Sequence, residues 1–157
     1  CALPILVTNQ EHGFMVKALY AASATSSYHT SSMADQWEYD VTKITIPTFL
    51  TAGTGHWDAG TATTKEQAND EEDGVVQGIC PLWSLQENYA SLPDTIDKVM
   101  ARKKDTDHGD SYKQFDGYMI AWFMYYLQGD QEAGRAFTKG GELSNNSLYQ
   151  DVQTNMN

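Results

Sequence analysis

Lys104-Asp105-Thr106-Asp107-His108-Gly109-Asp110 lies between a strand-like run, Asp97 to Lys103, and a long apolar segment, Phe115 to Leu127. The heptapeptide has the chemistry of a turn, with Asp and Gly supplying tight backbone bends, and it carries a histidine. Upstream, Ile44-Thr45-Ile46-Pro47-Thr48-Phe49-Leu50 reads as another strand and runs into a Gly-rich loop, Thr51 to Gly60, that holds Asp58. An acid after one strand and a histidine after the next, with a helix between, suits a parallel sheet. Right-handed crossovers bring both loops to the same carboxyl edge, where α/β folds keep their chemistry.

Working outward, Met15 to Ala22 reads as a buried strand before a Ser/Thr-rich loop, Ser23 to Ser32. Asp35 to Lys43 is ambiguous; Trp37 and Val41 are spaced for a short helix over the sheet. Pro47 removes one ladder hydrogen bond, so it belongs near the beginning of its strand. Gly53 and Gly55 allow the sharp turn that follows. Thr61 to Gly74 is polar, and its run Asp70-Glu71-Glu72-Asp73 reads as a solvated loop or helix start, without the ligand spacing of a calcium loop. Pro81 opens a helix, Leu82 to Ser91, which Leu92-Pro93-Asp94 ends. Phe115 to Leu127 is the clearest helix, stopped by Gly129. Its stripe of Phe115, Met119, Ile120, Phe123, Met124 and Leu127 is expected to face the core. A shorter helix is expected over Asp130 to Phe137. Residues 140–157 are Asn- and Gln-rich and are expected to fray as a polar tail, with Leu143, Leu148 and Tyr149 as anchors.

Strand and helix alternate three times, so the expected class is α/β, the C-terminal part of a doubly wound, mostly parallel sheet. Three strands are too few to bury the faces of Leu19, Phe49 and Val99 without neighbours. The 157 residues are 41% hydrophobic, with four Trp and nine Tyr, which argues for a packed domain. A net charge of −11 speaks against nucleic acid or an anionic membrane as partner. The one basic cluster, Lys98, Arg102, Lys103 and Lys104, reads as a solvated strand end. No apolar run reaches the roughly eighteen residues of a membrane span. Cys1 and Cys80 make no disulfide framework. His12, His29, His56 and His108 lack metal-ligand spacing, and no phosphate loop is present, so neither metal nor cofactor is expected. Cys1-Ala2-Leu3-Pro4-Ile5 reads as a translated cloning or sequencing scar, leaving 6–139 as the domain proper. With neither an initiator Met nor a leader to read, the compartment stays open.

Ile46-Pro47-Thr48-Phe49-Leu50-Thr51-Ala52-Gly53-Thr54-Gly55-His56-Trp57-Asp58 resembles the penultimate strand and acid loop of α/β-hydrolases of the dienelactone-hydrolase and esterase type. Arg102 to Gly109, centred on Asp107-His108-Gly109, resembles their last strand and histidine loop, and Gly117-Tyr118-Met119-Ile120-Ala121-Trp122-Phe123 their closing helix. The resemblance runs from Val16 to Phe137. It implies that His108 is the general base and acid, and that Asp58 fixes its tautomer from the far side of the ring. In the family the acid follows its strand sooner, whereas here His56-Trp57 intervene, so Asp35 and Asp40 are second choices.

No nucleophile motif G-x-S-x-G occurs. Gly109-Asp110-Ser111-Tyr112-Lys113 has only its first half. Gly78-Ile79-Cys80-Pro81-Leu82 lacks the final Gly and lies between acid and histidine, so Cys80 reads as a small buried residue. The resemblance implies an upstream serine shortly before Met15, which makes this chain the C-terminal half of an ester hydrolase, its partner the missing N-terminal half of the same domain. Trp57, Tyr28 and Trp37 are candidates for a substrate pocket or for packing. Two rival readings remain: a hydrolase-like binding module without activity, and an N-terminal nucleophile hydrolase using Cys1.

Overall fold

Thr48–Gly53 is buried at every position, as a strand must be when both faces of its sheet are covered. This strand, β2, occupies the interior of the sheet in a computed structural model that describes residues 15–24, 40–69, 74–114 and 116–157. Its neighbours are β1 (Leu19–Ala22) and β3 (Lys98–Lys103), both parallel to it, with Leu19 opposite Thr48 and Thr51 opposite Ala101. A fourth strand, β4 (Tyr149–Thr154), runs antiparallel against β3, giving the order β1-β2-β3-β4. The fold class is therefore α/β, with an open, mostly parallel sheet.

Side chains alternate across a strand, so β2 and β3 divide their residues between two cores. Leu50, Ala52 and Met100 join Leu19, Cys80, Leu85 and Leu92 on one face. Phe49, Val99 and Ala101 join Trp122, Phe137, Leu143 and Tyr149 on the other. Three rings anchor the second core: Phe49 lies 5.6 Å from Trp122 and 5.4 Å from Phe137, centroid to centroid, and Trp122 lies 5.0 Å from Phe137. Each such tilted or edge-on contact adds about 0.5–1.5 kcal/mol beyond the area buried.

The helices follow from their punctuation. After the one-turn helix α1 (His56–Ala59), helix α2 (Leu82–Ser91) begins where Pro81 has no amide to lose and stops before Pro93. Lys98 closes its far end, donating from Nζ to Leu92 O at 2.7 Å and Tyr89 O at 3.2 Å. Helix α3 (Asp116–Phe123) continues as a wider π turn, Met124–Gln128, and Gly129 ends it in the left-handed conformation, φ 75°. Asp130 caps α4 (Gln131–Arg135), and α5 (Glu142–Asn145) leads into β4.

Several expectations need correction. Leu19, Phe49 and Val99 are buried by this chain itself, at 1%, 0% and 0% exposure, with no strand from elsewhere. The strand expected over Ile44 to Leu50 runs instead over Thr48–Gly53, so Pro47 precedes it and Thr51 to Gly53 belong to the strand and not to the loop. Residues 140–157 do not form a fraying tail: they hold α5 and β4, with Leu143 and Tyr149 buried and Leu148 exposed. The expected core stripe of α3 holds only in part: Phe123 packs against the second core, but Ile120 and Leu127 are 53% and 56% exposed while Trp122, outside the stripe, is fully buried. The segment carries apolar residues around its whole circumference, and Tyr118, Trp122 and Tyr126 share the same helical spacing as the expected set. The basic cluster is not a solvated strand end throughout, because Lys98 is 5% exposed and Arg102 pairs with Asp151 at 2.8 Å. Of the segment Asp35 to Lys43, the described part is a short 3₁₀ turn, Val41–Lys43, capped by Asp40. Cys1, Asp35, Trp37, Phe115 and the run Asp70 to Asp73 lie outside the described residues. Among the described residues, no helix is long and apolar enough to cross a membrane.

Candidate active site

The carboxyl ends of β2 and β3 are tied together before any side chain takes part. Thr54 N donates to Lys103 O at 3.1 Å, and Gly55 N donates to Thr106 O at 2.9 Å. The Thr54 hydroxyl accepts from Asp105 N at 3.0 Å. At Gly55 a side chain could not fit, because its Cβ would lie 2.5 Å from both Cβ and Cγ of Asp107. This close approach, not a left-handed φ, is what the glycine provides.

Beyond Gly55 the chain coils through α1, and that turn sets where Asp58 lies. Asp58 sits late in sequence, but one helical turn folds it back over the end of β2. Its carboxylate is fully buried and accepts from Gly53 N at 2.6 Å. The other oxygen, Oδ1, lies 3.0 Å from Nδ1 of His108. A carboxylate can only accept, so Nδ1 carries the proton. The imidazole is part exposed, its side chain 45% accessible, while its partner is wholly enclosed. The two residues expected to act together are thus hydrogen-bonded at the carboxyl ends of adjacent parallel strands.

Two supporting residues have roles that the sequence does not announce. Asp107, next to the histidine, accepts from Trp57 N at 2.9 Å, Asp58 N at 2.9 Å and His108 N at 2.8 Å. The first two are early amides of α1, whose own cap position is Gly55 and offers no side chain. Asp107 therefore caps a helix that belongs to the neighbouring strand. Its partial burial would raise the carboxyl, but the amides of His108, Asp58 and Trp57, with His56 nearby, hold it below the usual carboxylate range. The second is Ser23, just past β1, whose hydroxyl donates to Asp58 Oδ2 at 2.7 Å. Both roles depend on contacts between separate strands, which no local motif encodes.

The remaining candidates separate clearly. Asp40 is exposed and spends its carboxylate on Thr42 and Lys43, so it is not the acid that meets His108. Cys80 is fully buried beside the acid, with its amide donating to Asp58 O at 2.9 Å. Burial, reinforced by the Asp58 charge, pushes its thiol up, the opposite of an activated nucleophile. Trp57 is 64% exposed and meets His56 edge-on. Asp35, Tyr28, Trp37, Cys1, His12 and His29 fall outside the described residues. Among the described residues, no cluster of His, Cys, Asp or Glu could hold a metal ion. Neither a protein-family model nor a curated protein sequence matches this chain, so the geometry stands on its own.

Proposed function

We propose that this chain carries the acid and the histidine of a serine hydrolase of α/β-hydrolase architecture that cleaves carboxylic esters. The observation that carries the proposal is the Asp58–His108 hydrogen bond, 3.0 Å long, made from loops at the same edge of adjacent parallel strands. In this reading His108 Nε2 takes the proton of a serine hydroxyl as that oxygen attacks the ester carbonyl. The same nitrogen then returns the proton to the departing alkoxide. Asp58 keeps Nδ1 protonated, so that Nε2 has its lone pair, and it stabilises the imidazolium formed in between. The fold's chain order is nucleophile, acid, histidine. Since G-x-S-x-G is absent from this sequence, the nucleophile is proposed on residues encoded upstream.

The test is active-site labelling. Protein expressed with its upstream residues is treated with a fluorophosphonate probe, and the modified peptide is mapped. The proposal expects one labelled serine preceding Met15, with labelling abolished by His108→Ala. The chain by itself should neither label nor hydrolyse nitrophenyl esters above a His108→Ala control, since acid and base without an oriented nucleophile do little. Labelling of a serine within this chain, or labelling indifferent to His108, overturns it. No labelling at all would favour a binding module.

A further inference from the structure

We infer that Ser23 is a positioning residue for the acid–histidine pair: its hydroxyl holds the Asp58 carboxylate in the rotamer that turns Oδ1 toward His108. The inference rests on the function proposed above. Three parallel strands each deliver one member of the chain of contacts, Ser23 after β1, Asp58 after β2 and His108 after β3. The torsion about the last carbon–carbon bond of an aspartate is broad and poorly defined by the side chain itself. A carboxylate anchored by one amide can therefore rock. Here Oδ2 receives two donors from different directions, Gly53 N at 2.6 Å and Ser23 Oγ at 2.7 Å. With Oδ2 held from β1 and β2 together, Oδ1 is left facing the imidazole on the β3 side.

The backbone of Ser23 is itself constrained. Its amide donates to Thr51 O at 2.7 Å, pinning the residue to β2, and the residue is 5% exposed. Its φ of 51° lies in the left-handed region that favours glycine. A residue bearing a Cβ in that conformation, buried, with its hydroxyl on the acid, is the kind of strained position that functional sites retain. Cys80, whose amide donates to Asp58 O at 2.9 Å, has a thiol, a much weaker donor than a hydroxyl.

The experiment follows the Nδ1–H signal of His108 by NMR in ¹⁵N-histidine-labelled protein expressed with its upstream residues, as wild type, Ser23→Ala and Ser23→Gly. Glycine accepts the left-handed φ, so Ser23→Gly removes the hydroxyl without adding backbone strain and guards against a simple folding failure. The expected result is that Nδ1–H exchanges with water on the order of tenfold faster in both variants, the scale of losing a hydrogen bond to a charged group. Ester kcat should fall by on the order of tenfold while KM stays the same. A wild-type signal unchanged in both variants overturns the inference alone, whatever activity does. A signal absent already from wild type overturns the acid–histidine pair, and with it both readings.

Discussion

Asp107→Ala should loosen the carboxyl edge of β2 and β3 while leaving both sheet cores untouched. The carboxylate it removes serves Trp57 N and Asp58 N, the second and third amides of α1, and His108 N. Losing an N-cap of this kind costs about 1 kcal/mol, within a range of roughly 0.5–2 kcal/mol. Water can reach the site and reclaim part of the loss, so a third amide adds little, and about 1–2 kcal/mol is expected in total. For a chain of 157 residues this corresponds to roughly 3–6 °C in Tm. The assay is thermal unfolding by circular dichroism across pH. Because the folded-state Asp107 carboxyl is depressed, its stabilisation is fully present above the unfolded value. It is lost as pH falls through the lower folded value. The gap between wild type and Asp107→Ala should therefore hold from pH 7 to about pH 4 and close below that. A gap under about 1 °C at neutral pH, or one that persists undiminished into strong acid, would refute the cross-strand cap.

Gly55→Ala should cost at least as much as Asp107→Ala, because the new Cβ would meet the Asp107 side chain at 2.5 Å. The two substitutions combined should be clearly less than additive in a double-mutant cycle. Lys98→Met strips the donor from Leu92 O and Tyr89 O at a nearly buried site, and urea unfolding should register a loss of about 1–3 kcal/mol. A stabilised Lys98→Met would show that those carbonyls need no cap. Cys80 should resist thiol reagents in the folded protein and react only on unfolding, since burial pushes its thiol up; rapid native-state modification would contradict its enclosure.

The parallel part of the fold was legible because its signals are local. Pro81 and Pro93 bracket α2, and the run Asp97 to Lys103 matches β3 to within one residue. That the Asp58 and His108 loops would meet at one sheet edge was legible from the order of the strands, whereas the roles given to the two residues come from the resemblance; α1 delivers Asp58 by a helical turn that loop reading does not anticipate. The tail was misread because β4 is bulged: pairing slips between Met100 and Arg102, and Asp151 in β4 takes φ 54°. That break interrupts the two-residue alternation by which a strand is recognised. The α3 face was misread because the helix is apolar on every side, and periodicity cannot choose between stripes of equal spacing. What selects the Trp122 face is the fit of its rings against Phe49 and Phe137, residues far away in sequence. Asp107 and Ser23 were missed for the same reason, since each acts on a strand other than its own.

The central claim, that Asp58 and His108 form a working acid–base pair, is tested most directly by the tautomer of His108. The ¹⁵N shifts of its two ring nitrogens at a pH where the ring is neutral report which one bears the proton. A buried carboxylate 3.0 Å from Nδ1 requires that proton on Nδ1, leaving Nε2 as the acceptor. Asp58→Asn should weaken or reverse this preference, because an amide can present its donor to the same nitrogen. A neutral His108 protonated on Nε2 in the wild type, or a tautomer indifferent to Asp58→Asn, would contradict the account.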